Sequence, residues 1–404
     1  MDAIAAEWGG LLIRWLHVIA GIAWIGSSFY FMHLDASIKP IPAIPAGKGG
    51  EAWEVHGGGF YQVRKYLIAP DSLPTELMWH KWEAYTTWLS GFSLLVCVYY
   101  LGSDLYLIDP EVRELSPLAA AAIGIGALAL GWIVYNALVS SRLADNEVML
   151  AAVGFVFVMA MAWFFQKMFT GRGALIHTGA LMGTIMSGNV FMNIIPNQKK
   201  VIADLIAGKD PNPDFGKQAK TRSRHNNYLT LPVVFLMISG HYPLVFTSPY
   251  AWIMVGFVLV AGASVRYFYN ERHTGRGDKW WAWAVAALCM AAVAGISLLS
   301  NAQGREKLGL KEMQPIQVAT GRHVPEAVDD ILTSRCAMCH AAAPVWAGIA
   351  TPPKGVLLDS PLHIARHAEA IRVQAVMTRA MPPSNVTGMT GDERKVLAAW
   401  LAKL

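Results

Sequence analysis

Five residues near the end of the chain, Cys336-Ala337-Met338-Cys339-His340, have the spacing that attaches a haem covalently. In a Cys-x-x-Cys-His pattern each thiol adds to a vinyl group of a c-type haem, and the imidazole ligates the iron. The competing readings are a thioredoxin-like redox pair or half of a zinc site. The first needs a βαβ setting and the second another Cys pair. Of the four cysteines only Cys97 and Cys289 remain, each alone in an apolar run where a thiol packs as a small hydrophobe. A disulfide framework is therefore not expected. The sixth iron ligand must come from later in the chain. Met381 is the expected thioether, because Pro382 and Pro383 can hold the loop that presents it; Met377, Met389, His363 and His367 are its competitors. A Met/His pair raises the potential of a haem and suits an electron acceptor.

A haem of this kind needs a small helical domain, and the last part of the chain reads as one. A helix carrying Val328, Ile331 and Leu332 on one face leads into the Cys pair. A second helix starts at Ser360-Pro361, with Ser as N-cap and Pro in the first turn. A third starts at Thr390, where Thr-x-x-Glu393 is a capping box, and Val396, Leu397, Trp400, Leu401 and Leu404 form one apolar stripe. We place this domain at 319–404, behind a linker at 301–318 rich in Lys, Gln, Gly and Pro.

The composition of residues 1–300 is different in kind. The chain is 54% hydrophobic and only 15% charged, against about 25% charged in soluble domains. Eight segments approach the length of about 20 residues that crosses a bilayer: 11–34, 85–106, 117–138, 148–169, 174–195, 228–246, 251–269 and 280–299. The expected fold class is all-α, a polytopic membrane bundle of eight transmembrane helices with a C-terminal soluble cytochrome c domain. The first segment has no small-residue cleavage site and is extended by Trp24, Tyr30 and Phe31, so it reads as a retained helix.

Loop charges orient the bundle. With the N-terminus outside, the inner loops hold Lys39, Lys48, Arg64, Lys65, Arg142, Lys199, Lys200, Lys209, Lys217, Lys220, Arg222, Arg224, Arg272, Arg276 and Lys279. The outer loops offer little beyond Arg113 and Arg172, and carry Asp109, Glu111 and Glu114. Eight crossings then put both termini outside, on the periplasmic face of a bacterial inner membrane. That is the side on which c-type haem is attached. The basic residues lie in loops between apolar helices, among membrane lipid, and carry no nucleic-acid signature.

Ionisable residues within spans are functional candidates. His17, His177 and His241 all fall in the outer part of the bilayer by their positions along helices. Two of them could hold a non-covalent haem b; each alone is a hydrogen-bonding helix contact. Arg14, on the same face as His17, would meet a haem propionate or snorkel to the surface. The inner side holds another constellation: His56 before Gly57-Gly58-Gly59, Lys81, Glu83, the run Arg222–Tyr228, Arg266 and His273. Orientation explains most of its Lys and Arg. It leaves His225, Asn226, Asn227 and His273 at helix ends, where a planar anion could be hydrogen-bonded, and glycines that let a ligand approach backbone.

The stretches HVIAGIAWIGSSFYF, WEVHGGGFYQVRKYL, KWEAYTTWLSGF, HTGALMGTIMSGNVFMNIIPNQKK and HNNYLTLPVVFLMISGHYP precede the Cys-x-x-Cys-His domain. Together they resemble the bacterial membrane-bound, cytochrome c-dependent urate oxidases, also called urate hydroxylases, over essentially the whole chain. The resemblance implies oxidation of urate to 5-hydroxyisourate in purine degradation. It implies electrons passed to the fused cytochrome c rather than to hydrogen peroxide, then to a respiratory acceptor such as a soluble cytochrome c or a terminal oxidase. It carries over Cys336, Cys339, His340 and Met381 as the haem c site. His33 and His80 depart from the family pattern and receive no role, and no catalytic residue is assigned. A histidine general base would suit the chemistry. The other class of reading is a non-enzymatic membrane cytochrome relaying electrons from a quinol or a separate dehydrogenase. We expect the outer histidines to serve electron transfer, and His225, Asn226, Asn227 and His273 to hold urate.

Overall fold

Apolar helices need their ends satisfied before they can pack, and the sequence supplies the caps. Ser116 accepts a hydrogen bond from the Ala119 amide ahead of α4 (Pro117–Val139), Asn146 from Met149 ahead of α5 (Glu147–Met168), and Thr170 from Gly173 ahead of α6 (Gly171–Gly188). The protein is seen here as a computed structural model that describes residues 3–45, 48–67, 70, 73–109, 112–300, 324–347, 349, 352–353 and 356–404. The linker expected at 301–318 lies outside these residues.

The bundle begins with α1 (Ala3–Ser37) and α2 (Trp82–Leu94), which pack against each other. A π-helical turn prolongs α2 to Tyr100, and α3 (Ser103–Tyr106) follows. After α4 and α5, helix α6 runs through a second π-helical turn, Asn189–Ile194, into α7 (Ile195–Ile206). Then come α8 (Pro213–Ser239), α9 (Pro243–Phe246), α10 (Ala251–His273) and α11 (Trp281–Ser300). Helix α6 is the hub, packed on α4, α5 and α8, with Leu181, Met182 and Ile185 almost fully buried.

Among the described residues, five helices are long and apolar enough to cross a membrane: Trp8–Ser37, Pro117–Val139, Glu147–Met168, Ala251–His273 and Trp281–Ser300. The other three expected segments are helical but different in character. Helix α8 starts at Pro213, well before the expected 228, and the helix expected over 174–195 continues to Ile206. These inner helices bury His177, Asn189, Arg222, Asn226 and Asn227. A helix shielded by neighbours can pair polar side chains that a lipid-facing helix cannot satisfy.

The all-helical expectation needs one correction. The loop after α1 is an antiparallel hairpin, β1 (Gly49–His56) and β2 (Gly59–Tyr66), with His56 opposite Gly59. Its two-residue turn is Gly57-Gly58, both at positive φ (59° and 80°). A turn of this hand matches the twist of the strands and is cheap only for glycine or Asn/Asp. These glycines therefore have a structural reason of their own, as the turn of the hairpin. Glu51 fastens the hairpin by accepting from Trp53, Gln62 and Arg64. Cys97 also departs from expectation, because it faces outward, whereas Cys289 is buried.

The C-terminal unit comprises α12 (Glu326–Arg335), α13 (Ala337–His340), α14 (Pro361–Arg366), α15 (Ala368–Ile371) prolonged by a π-helical turn to Met377, and α16 (Gly391–Leu401). Val328, Leu332, Ile364, Ile371, Leu397, Trp400 and Leu401 form its core. Ser360 caps α14, and Thr390 with Glu393 makes the reciprocal box that opens α16. Val396 departs from the expected stripe: it is 40% exposed, since it sits about 100° around the helix from Leu397. Thr390→Ala removes the acceptor for the Glu393 amide and is expected to cost about 1 kcal/mol, read as a lowered unfolding midpoint of the C-terminal unit. The segment Pro383–Asn385 of this unit lies against α3, at the end of the bundle opposite the hairpin.

Candidate functional site

The end of α6 and the first half of α8 meet through a connected polar network. Asn189 is carried by the π-helical turn and donates from Nδ2 to Asn226 Oδ1 and to the Tyr135 hydroxyl, each at 2.9 Å. Tyr135 in turn donates to His225 Nδ1 at 2.8 Å. Asn226 Nδ2 donates to the Met186 carbonyl. Arg222 is buried; it donates to Asn189 Oδ1 at 3.1 Å and to Asn136 Oδ1 at 2.8 Å, and lies over the Tyr135 ring at 5.2 Å. In this strut both polar ends of Asn189 and of Asn226 are partnered inside the chain. Arg222→Met would strand the buried Asn189 amide oxygen, at a cost of about 1–3 kcal/mol, and also remove the donor to the half-buried Asn136. We expect a markedly lower thermal midpoint in detergent, even though methionine fills much of the space the arginine leaves.

One residue after Asn226, and so about 100° around the helix, α8 presents Asn227 toward α10. Its Oδ1 accepts from Arg266 Nε at 3.2 Å and from Asn270 Nδ2 at 3.3 Å. Its Nδ2 is buried without a partner among the described residues. Arg266 is 6% exposed and lies over the Phe29 ring at 4.1 Å. Residues 266, 270 and 273 share one face of α10, and 29 and 33 one face of α1. His273 does not join the asparagines; its ring packs on that of His33 at 4.2 Å, at the ends of both helices. In the sequence Arg222 and Arg266 look like orientation signals. Their burial without a carboxylate partner among the described residues sets them apart from the loop cations, and no pattern in the sequence marks it.

The outer histidines do not share one depth. His177 is fully buried; its Nδ1 donates to the Gly173 carbonyl, and its Nε2 accepts from the Tyr100 hydroxyl at 3.2 Å. Phe165 and Phe169 close around it. Both ring nitrogens are thus occupied by the chain, and a Cβ on Gly124 would already come within 2.8 Å of Nε2. His17 meets the Thr87 carbonyl and Ser90 Oγ through Nδ1. Ser90 precedes Tyr100 by ten residues, about 15 Å of helix, so His17 lies much deeper than His177. Its Nε2 has no hydrogen-bond partner among the described residues. His241 is exposed in the turn after α8. Counting residues from assumed helix starts misplaces them, because α1 begins earlier than hydropathy suggests.

The Cys-x-x-Cys-His loop is laid over the C-terminal core. Burial pushes the Cys336 thiol up to about 12 and also raises that of Cys339, so both are protonated at neutral pH. His340 donates from Nδ1 to the Val356 carbonyl at 2.9 Å, which leaves Nε2 as the lone-pair nitrogen. Met381 is half-buried, on a loop held by its own amide to the Gln374 carbonyl. Arg394, buried beneath, donates to the carbonyls of Ala375 and Met381 and to Asn385 Oδ1. That grip maintains left-handed backbone at Arg379, Ser384 and Asn385, where φ is 50–54°. Of the competitors, Met389 is fully buried in the core, and His363 Nδ1 is tied to Asp359 at 2.6 Å. Trp400 Nε1, Ser384 Oγ and Thr387 Oγ1 are buried with no partner among the described residues.

The His363 hydrogen bond, and behind it the Ala342 amide, hold the Asp359 carboxyl below its usual range. A depressed folded value gives stability that is present above the usual Asp pKa of about 3.9 and is lost as pH falls through the folded value. Asp359→Asn is therefore expected to lower the thermal midpoint at pH 6, with the gap to wild type closing below about pH 4.

Taken by its helices, the chain has, among the described residues, five that are long and apolar enough to cross a membrane, wrapped around a polar centre, with a small helical unit at one end. A family model for the N-terminal region of urate oxidase matches residues 3–297, and the chain belongs to that family. Membership makes it an oxidoreductase with a urate-related function. No curated protein and no solved structure matches the chain.

Proposed function

We propose that this protein is a membrane urate oxidase that converts urate and water to 5-hydroxyisourate, releasing two electrons and two protons, and delivers the electrons to a haem c on its own C-terminal unit. The family match over residues 3–297 carries the substrate. In this reading the bundle crosses the bacterial inner membrane eight times with both termini periplasmic.

The residues of the C-terminal unit fit a covalent haem. Two protonated thiols, a histidine with Nε2 spare, a methionine on a braced loop and three buried donors without a partner among the described residues are the groups such a cofactor uses. Cys336 and Cys339 would form the thioethers, and His340 Nε2 and Met381 Sδ would ligate the iron. The haem supplies one-electron acceptance at a potential raised by the thioether. Two transfers are needed per urate, and each then leaves for a respiratory acceptor such as a soluble cytochrome c or a terminal oxidase. The contact between Pro383–Asn385 and α3 sets the Met381 loop against the end of the bundle where Arg172 lies over Tyr106.

Asn227, among the residues expected to hold urate, is bonded to Arg266, which lies about 22 Å of helix from Ala251, at that same end. A carrier within the bundle is therefore part of this reading. His17 has the posture for a haem b ligand, with Nδ1 held by a backbone carbonyl and Nε2 spare. His177 does not. A pyridine haemochrome spectrum combined with anaerobic urate titration of the purified protein tests the whole. Haem c that becomes reduced on adding urate supports it. Haem c indifferent to urate but reduced by a quinol would make the protein an electron relay instead.

A further inference from the structure

We infer that the urate anion is held by Arg266 and Asn227, between α1, α8 and α10, with Phe29 alongside and the His33–His273 pair at the entrance. This rests on the urate reading and assigns the residues that perform the binding.

Arg266 is 6% exposed, and among the described residues no carboxylate pairs with it. A buried charge without a counter-charge is costly, and a bound anion would supply one. The neighbouring amide gives the second, independent sign. Asn227 is fully buried, and its Oδ1 is engaged by both Arg266 and Asn270. That double acceptance fixes which way the amide faces. Its Nδ2 is left with N–H donors and, among the described residues, nothing to receive them. The two groups therefore present donors only.

The complementary ligand is an acceptor-rich planar anion. Urate is the monoanion of uric acid at neutral pH and carries carbonyl oxygens around a flat ring, so it meets both demands. Asn226, one position earlier, is excluded by the same accounting: its Oδ1 accepts from Asn189, and its Nδ2 donates to Met186. His225 belongs with Tyr135.

The route in follows from the helix ends. His33 is exposed, His273 is half-buried, and their rings pack together where α1 and α10 terminate. Arg266 lies two turns below His273 on the same face, about 10 Å along the axis. A flat anion arriving from the hairpin side passes aromatic faces before it reaches the guanidinium.

The test is equilibrium binding of radiolabelled urate to the full-length protein in detergent. The variants are Arg266→Gln, Arg266→Lys, Asn227→Asp and Asn227→Ser, with Arg276→Gln as a control for charge at the same end. Reduction of the C-terminal haem by ascorbate and the thermal midpoint report folding. We expect Arg266→Gln and Asn227→Asp to weaken binding about ten- to a hundredfold. Arg266→Lys should recover part of the loss, and Asn227→Ser should fall between. The control should stay within about twofold. If either residue is the wrong one, its folded variants will bind urate as wild type does, and the assignment is overturned. Lys and Ser preserve charge or polarity should the harsher variants not fold. Wild-type protein that binds urate at this site but does not oxidise it would sink the enzymatic reading and leave the site standing. Wild-type protein that binds no urate overturns both.

Discussion

Cys336→Ala combined with Cys339→Ala is expected to remove all haem that survives denaturing electrophoresis and to abolish reduction of the protein by urate. The thiols are the only covalent anchors that the C-terminal unit offers, since Cys97 and Cys289 lie within the bundle. Urate affinity should be unchanged, because the C-terminal unit touches the bundle at the end away from Arg266. Separating the two readouts matters: loss of both would point to a collapsed bundle. His340→Ala should keep haem on the gel and lose normal ligation, because the thioethers do not need the imidazole once formed. Wild-type protein that sheds every haem on denaturation would refute the covalent assignment.

Met381→Ala is expected to abolish the methionine–iron charge-transfer band and to lower the haem potential, as loss of a thioether ligand does. The competing methionines respond differently. Met389→Ala removes a fully buried core side chain and should cost about 2–5 kcal/mol while leaving the band intact. Met377→Ala should spare the band as well. Arg394→Ala lets go of the Met381 carbonyl from below and should weaken the band without touching the ligand atom. A band that survives Met381→Ala and disappears in Met377→Ala would transfer the role.

Features that depend on near neighbours were legible in the sequence. The capping box at Thr390, the Ser360-Pro361 helix start and the core face of Val328 and Leu332 each follow from residues a few positions apart, and each is present. The hairpin could have been read too. Gly-Gly flanked by alternating residues is a strong turn signal, but its place between two apolar helices suggests ligand binding instead. Tertiary pairing was out of reach. Nothing in the run Arg222–Tyr228 says that Asn226 is spent on Asn189, 37 residues away, while Asn227 keeps a donor in hand. The depth of His17 was hidden for a related reason: a count from the start of the apolar run misses its true level, which is set by α2.

The π-helical turn at Asn189–Ile194 has a consequence for how the long helix α6–α7 tolerates change. A turn wider by one residue shifts the angular phase of everything after it by about 100°. Asn189 faces Asn226 from within this turn, and Asn197, beyond it, donates to Gln218 on the same helix α8. Both hydrogen bonds are met because the extra residue resets the phase between them. Deleting one residue from 190–194 would leave the helix unbroken yet turn Asn197 and the rest of α7 away from α8. This stretch should therefore accept substitutions more readily than changes of length, and its insertions or deletions should be compensated in multiples of a whole turn.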